Sequence, residues 1–403
     1  MDDVTSFGLT ILLVAGALSA ALLASKLSAR TSIPSAALFL IAASLASYVF
    51  PSLVLSISTV ERIATVALIV ILFDGGSSIG WRRFRAAVMP IASLGILGTF
   101  ITAGLVAVFA HWAFGLAWVT SGLLGAAIAP TDPAVMFSVL GEREISGRTG
   151  TILEGESGAN DPVGIALMIG MIELATHADA SFWIVVRVFA EQMSIGLAIG
   201  VGGGLLERLL MQRVALPSPG LYTLRTLALA GLVYGIAAVA HGSGFLAVFV
   251  AGLIVGDLRA PFSAQIRVFQ DGLAALAEIV VFVALGLTID LSGLTAGRWI
   301  DGLLFAAFAA LIARPFALGV LLAPARLRAG ERLFLMWGGL KGAVPILLAA
   351  FALTHHVDDA QRIYETVFVV VLASVIVQGG TIGIAARRLG VEKVPRPRAE
   401  RSA

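Results

Sequence analysis

Two stretches of the chain carry polar and charged residues in an order suited to handling a small cation. The first reads Glu154-Gly155-Glu156-Ser157-Gly158-Ala159-Asn160-Asp161-Pro162, inside an otherwise apolar run. On a helix, Ser157 and Asp161 lie four apart and share a face, with Glu154 three residues before Ser157; Glu156 and Asn160 form the adjacent stripe. A carboxylate, a hydroxyl and an amide oxygen are hard donors that suit a dehydrated alkali cation. Asp161 falls roughly 16 Å into its segment, about half the thickness of a bilayer's hydrocarbon core. The helix is expected to begin near these acids, so that its positive end moderates their repulsion. The plainer alternative is a hydrogen-bonded polar knot between helices, which is the preferred reading of Glu154 alone, nearest the segment end.

The second stretch is split between two distant places. Ala129-Pro130-Thr131-Asp132-Pro133 puts two prolines around an acid, and Gly338-Gly339-Leu340-Lys341-Gly342-Ala343-Val344-Pro345 puts a cation inside a Gly/Pro interruption. Proline removes a helical hydrogen bond and breaks the helix. Inside a membrane, irregular backbone survives only where it is buried in protein or faces water. Two interrupted segments at corresponding positions point to inverted repeats around a midplane site, here segments four to six against eleven to thirteen. Lys341 and Arg314 are cations that no loop accounts for, and charges at that depth line a cavity or pair with another charge.

The elements that must position these residues follow from composition. Of 403 residues, 59% are hydrophobic and only 13% charged, against about 25% charged in a soluble chain. A soluble enzyme, a disordered chain and a nucleic-acid binder are excluded together. The chain has no cysteine, which removes disulfides, thiolate metal sites and thiol nucleophiles. At about 20 apolar residues per crossing, thirteen spans are expected: 6–25, 33–51, 59–76, 87–110, 114–140, 151–175, 182–206, 221–240, 244–257, 270–289, 301–323, 332–354 and 363–386. The reading is an all-α polytopic membrane protein of about 13 transmembrane helices, with two inverted repeats and broken crossing helices at segments five and twelve. The first apolar run follows Met1, Asp2 and Asp3 without a basic region, so it reads as a retained span. Alternate connections and the tail hold twenty-one basic residues on one side and about four on the other. The positive-inside rule then places the N-terminus outside and the C-terminus in the cytoplasm.

Weaker features receive plainer readings. Asp74, before Gly75-Gly76, reads as a solvated cap or contact at a helix end. Gly196, Gly200 and Gly204 read as a close-packing stripe. The five histidines fall at segment ends or in loops, and His355-His356 is not by itself a metal motif. Glu191 and Glu278 lie in or near spans, open between a packing and a proton-accessible role.

Taken together, Thr131-Asp132-Pro133, Glu156-Ser157 with Asn160-Asp161-Pro162, the run Gly244 to Gly252, and Gly339-Leu340-Lys341-Gly342-Ala343-Val344-Pro345 resemble the monovalent cation/proton antiporters of the NhaP-like branch, relatives of the sodium/proton exchangers. The resemblance covers nearly the whole chain with its motifs in family order. It implies thirteen helices, a homodimer, and a mobile core (87–180 and 298–388) moving against a static dimerisation scaffold (1–86 and 207–297), with 181–206 as a linking helix and 389–403 as a short basic tail. By motif, Asp161 is matched to the acid that binds cation or proton, Ser157 and the Thr131 carbonyl to alkali-cation ligands, and Asp132 to an acid beside the site. Asn160 is matched to the residue that replaces a second aspartate found in relatives. Glu156 is matched to an acid paired with a basic residue on segment twelve, commonly Arg and here Lys341. Phe73-Asp74-Gly75-Gly76 and Glu154 to Gly158 also look like the potassium/proton subgroup called CvrA, whose members usually carry cytoplasmic regulatory domains.

The expected function is secondary antiport, not enzymatic chemistry: one monovalent cation, sodium first and lithium with it, exchanged for one proton at Asp161 by alternating access, electroneutrally. The alternative is potassium/proton exchange on the same fold. More remote are an intramembrane aspartyl protease built on Asp132 and Asp161, and a cation channel. The expected partners are Na+, Li+ or K+, protons, the lipid bilayer of a bacterial inner membrane and a second copy of the chain, with no nucleic acid and no cofactor.

Overall fold

The structure, a computed structural model, describes residues 2–28, 33–132, 145, 148–177, 180–258 and 261–392. Pro133, Arg30, Arg143, Arg259, the last eight residues of expected segment five (133–140) and most of the basic tail lie outside the described residues. Among those described, fourteen helices follow one another: α1 Asp2–Ser28, α2 Ser35–Val49 and α3 Ile57–Ala86, then α4 Val88–Phe114, α5 Trp118–Ile128 and α6 Arg148–Thr176. The order continues with α7 Trp183–Arg213, α8 Pro219–Val239, α9 Gly244–Gly256 and α10 Ser263–Gly286, and ends with α11 Ala296–Leu321, α12 Ala329–Trp337, α13 Ala343–Thr354 and α14 Ala360–Arg388.

The helices start where local chemistry permits. The Ser56, Ser243 and Thr295 side chains accept the backbone N–H of Thr59, Leu246 and Arg298, each three residues on, satisfying one of the free donors of a helix start. Among the described residues, seven helices are long and apolar enough to cross a membrane: α3, α4, α7, α8, α10, α11 and α14. Large apolar side chains such as Leu22, Leu23, Val239 and Leu311 remain exposed on the outside, as a lipid-facing surface requires, while Phe249, Phe282, Phe305, Phe334 and Phe368 fill the interior.

Two triplets share one plan. In α4–α6 and in α11–α14 a long helix with a π-helical turn is followed by a broken helix and then another long helix. The π turns cover 93–98 in α4 and 309–313 in α11, and a third covers 374–379 in α14. The break in segment five is the non-helical run after Ile128; that in segment twelve separates α12 from α13 over 338–342.

Several boundaries depart from expectation: α7 runs seven residues past its expected end to Arg213 and α10 starts seven early at Ser263. Expected segment twelve is two helices divided by its break. Segment six starts at Arg148, three residues early. Segment three does not stop at Gly75-Gly76: α3 runs to Ala86 and is kinked at Gly80, where φ is +68°. The Asp257 carboxylate accepts the Arg82 N–H at 2.6 Å and holds the chain beyond the kink. The stripe of Gly196, Gly200 and Gly204 faces the backbone of Ser243 and Ala247 and the side chain of Ile254, so α7 packs closely on α9 as its spacing suggested.

Candidate functional site

The two breaks meet and are tied in both directions. The Asp132 N–H donates to the Leu340 carbonyl at 2.8 Å. The Lys341 ammonium donates to the carbonyls of Ala129 at 2.9 Å and Pro130 at 3.1 Å. Those carbonyls end the α5 segment, whose dipole leaves partial negative charge there, so a buried cation compensates a helix end that lipid could not solvate. Lys341 is only 3% exposed. The π turn of α14 supports the same loop. Ser374 Oγ accepts the Lys341 N–H at 2.8 Å and donates to Gln378 Oε1 at 2.7 Å, and Gln378 Nε2 donates to the Trp337 carbonyl at 3.0 Å.

From α6, three side chains reach this crossing. The Ser157 hydroxyl donates to the Thr131 carbonyl in a short hydrogen bond. Asn160 engages Thr131 twice: its Nδ2 donates to Thr131 Oγ1 at 2.8 Å, and its Oδ1 accepts the Thr131 N–H at 3.3 Å. One turn beyond Ser157, Asp161 is 6% exposed, and its Oδ1 has no hydrogen-bond partner in the protein. Asp161, Ser157 and Asp132 line one cavity of about 380 Å³; Asn160 and Thr131 join α6 to the break behind it. The first residues of α13, Ala343 and Val344, also line the cavity, so it is the positive end of α13 that faces the acids. The expected help from the start of α6 does not materialise. That helix begins at Arg148, thirteen residues or roughly 20 Å before Asp161, and a helix dipole acts only over its first turn.

Glu156 has a different partner from the one expected. Arg314 Nη1 and Nη2 donate to its two carboxylate oxygens at 2.7 and 3.2 Å, and Arg314 Nε and Nη2 also donate to the Leu335 carbonyl at 3.3 and 3.0 Å. The Glu156–Lys341 contact is therefore replaced by a Glu156–Arg314 fork. Arg314 leads out of the π turn of α11, which offsets the register of the helix that carries it, and a planar guanidinium matches a carboxylate with two parallel bonds where an ammonium cannot. Glycine is required at two points of the break. A Cβ on Gly339 would enter the Arg314 guanidinium, and one on Gly342 would collide with the Asp132 side chain.

The cavity holds acids that the sequence reading missed or misplaced. Asp74 is not a cap: it lies within α3 and lines the cavity with Glu154, Asp271 and Glu278. Asp74 Oδ1 and Glu278 Oε1 are buried without a protein partner. Six carboxylates thus face one space, and no basic residue lines it among the described residues. Glu191, by contrast, is exposed and pairs with Arg187 one turn away at 3.8 Å. Phe249 from α9 closes the side of the cavity at Gly158 and also lines a separate groove behind it. No histidine lines the cavity, and no group of three His, Cys, Asp or Glu residues is placed to hold a metal ion among the described residues.

Known proteins place this arrangement. A family profile described as the transmembrane sodium/hydrogen exchanger matches residues 14–388. A K(+)/H(+) antiporter NhaP of Alkalimonas amylolytica is 39% identical over 82% of this chain, and a K(+)/H(+) antiporter NhaP2 of Shewanella sp. strain ANA-3 is 35% identical over 98%. An Na(+)/H(+) antiporter, ApNhaP of Aphanothece halophytica, is 30% identical over 82% of this chain. This chain spans 58% of the length of the Alkalimonas relative, 69% of the Shewanella relative and 65% of the Aphanothece relative. The solved sodium proton antiporter MjNhaP1 of Methanocaldococcus jannaschii shares the fold with a TM-score of 0.80, at 24% identity over 93% of this chain and 99% of that one. With a profile match across nearly its whole length and relatives of this identity, the chain belongs to the transmembrane sodium/hydrogen exchanger family, in its NhaP-like branch.

Proposed function

We propose that this chain exchanges a monovalent cation for a proton across a membrane, with Asp161 as the group that both compete for. The observation that carries the proposal is Asp161 itself: a buried carboxylate with an unpartnered oxygen, opening on a cavity of acids between two broken helices. Ionised, it offers a negative ligand to a dehydrated cation, with the Ser157 hydroxyl and the Thr131 carbonyl as neutral oxygens beside it. Protonated, it carries no charge and releases the cation. A site that must be loaded with one or the other before it crosses the membrane couples the two flows without further chemistry. Asp132, lining the same cavity, acts on the site from beside it. Asn160 braces Thr131, and Glu156 with Arg314 holds α6 to α11.

In this reading α4–α6 and α11–α14 form the moving core, α1–α3 and α8–α10 the scaffold through which two copies pair, and α7 the link between them. The basic side of the chain faces the cytoplasm of a bacterial cell. The K(+)/H(+) relatives at 39% and 35% identity support potassium as cargo and the Na(+)/H(+) relative at 30% supports sodium; sodium, lithium and potassium all fit the same oxygen ligands. Proteoliposomes loaded with a pH-sensitive dye separate these cargoes when sodium, lithium and potassium are added in turn. Asp161→Asn should remain folded and abolish cation-dependent dequenching with all three. Substantial exchange by that variant would overturn the assignment.

A further inference from the structure

A second and larger space, an apolar groove of about 940 Å³, follows α7 from Phe189 to Gln212, with α9 on one side and α4 and α6 on the other. That stretch of twenty-four residues extends roughly 35 Å as helix, enough to cover a hydrocarbon core of about 30 Å. Its walls are aliphatic and aromatic for most of that length. The polar groups gather at one end: Arg82, Arg208, Gln212 and Asp257, with Trp81 beside them.

That end is electrically unbalanced. Arg82 and Arg208 are exposed, and neither guanidinium has a hydrogen bond or ion pair among the described residues. Other arginines of the fold are engaged: Arg225 on Glu207 and the Val214 carbonyl, Arg298 on Glu365. Asp257, the one acid at the mouth, already accepts the Arg82 backbone N–H at 2.6 Å, which leaves the two guanidiniums in excess over it. Trp81 is 46% exposed, and an exposed Trp beside basic residues marks the depth of lipid headgroups.

We propose that this groove binds an anionic diacyl phospholipid, its phosphate between Arg82 and Arg208 and an acyl chain along α7. Basic pockets between membrane helices with an apolar floor suit such a ligand. The chain's own tail does not, because Lys393, Arg396, Arg398 and Arg401 give it the same sign as the mouth. A helix of a second copy would lay an apolar face over two unpaired guanidiniums, a costly burial. Ala159 and Val163 of α6 line the groove on either side of Asp161 in sequence. The lipid would therefore pack against the back of the helix that carries the ion-binding acid, and its binding does not depend on the antiport reading.

The test uses the purified chain, stripped of lipid in mild detergent and titrated with phosphatidylglycerol, phosphatidylcholine or glycerol 3-phosphate while thermal unfolding and native mass are followed. Phosphatidylglycerol should raise the Tm saturably and remain bound in the mass spectrum; phosphatidylcholine should do so far less, and glycerol 3-phosphate not at all. The double variant R82Q/R208Q removes two exposed side chains without protein partners and should fold. Each basic contact with an anionic headgroup is worth roughly fivefold, so phosphatidylglycerol should bind it about 25-fold more weakly. Arg213→Gln, at the same end of α7 but outside the groove, should retain wild-type affinity. Equal effects of both lipids, an unchanged affinity in the double variant, or a matching loss in Arg213→Gln would each overturn the proposal. So would a full effect of glycerol 3-phosphate, which would mean a free-anion site with no use for the groove.

Discussion

Arg314→Met tests what holds α6 against the second triplet. Glu156 and Arg314 are 2% and 4% exposed, so the substitution leaves a carboxylate buried without its fork and takes two donors from the Leu335 carbonyl. Truncating one partner of a buried pair costs about 3–5 kcal/mol. At about 2.1 cal/mol/K of unfolding entropy per residue, 1 kcal/mol moves the melting temperature of 403 residues by about 1.2 °C, so the fall should be about 4–6 °C. The chain has 6 Trp, and intrinsic fluorescence during heating reads the change directly. Adding Glu156→Gln should recover a substantial part, because no charge is then left alone. Lys341→Met should also destabilise, since the Ala129 and Pro130 carbonyls lose their donor and each unsatisfied buried group costs about 1–3 kcal/mol. Glu156→Gln should not rescue that variant to a comparable degree. Equal rescue of Arg314→Met and Lys341→Met, or an Arg314→Met protein as stable as the wild type, would refute the assignment of Glu156 to Arg314.

Two further outcomes follow from the crossing of the breaks. Gly342→Ala pushes a methyl group into Asp132 and should cost about 1–3 kcal/mol while slowing exchange, read by Tm and by dye dequenching; an unimpaired variant would show that Asp132 moves aside freely. Exchange should be one cation for one proton, because Asn160, committed to Thr131 by two hydrogen bonds, stands beside Asp161 where a second acid would carry a second charge. A potassium diffusion potential set with valinomycin should leave sodium- or lithium-driven exchange unchanged, and a marked voltage dependence would contradict that count.

Much of the site was legible because membrane burial makes polar residues conspicuous. Ser157, Asn160 and Asp161 stand out in an apolar run, and the paired Gly/Pro interruptions announced both breaks. What was not legible depended on register and on neighbours distant in sequence. The π turn before Arg314 shifts that side chain toward Glu156, and nothing in the local sequence reveals the shift. Lys341 sat in the motif position of a pairing cation, yet the carbonyl end of α5 is the stronger attraction for a short ammonium. Asp74 was misread because Gly75-Gly76 resembles a helix stop. Gly76 is instead required by the backbone of Phe249 and Gly252 pressing on it, a tertiary demand that propensity does not encode. Glu278 remained ambiguous because one acid on an apolar helix looks alike whether it faces a cavity or a neighbour.

Phe249 has a further consequence. Its side chain lines both the acid-lined cavity and the apolar groove along α7, and its ring packs on Gly158, so it stands between the two spaces there. An exchanger keeps its coupling only while no ion or proton slips sideways unpaired. In the antiport reading, the tightness of the barrier at this point rests on an uncharged residue whose bulk matters more than its chemistry. Trimming that ring would degrade the seal before it altered any ligand of the site.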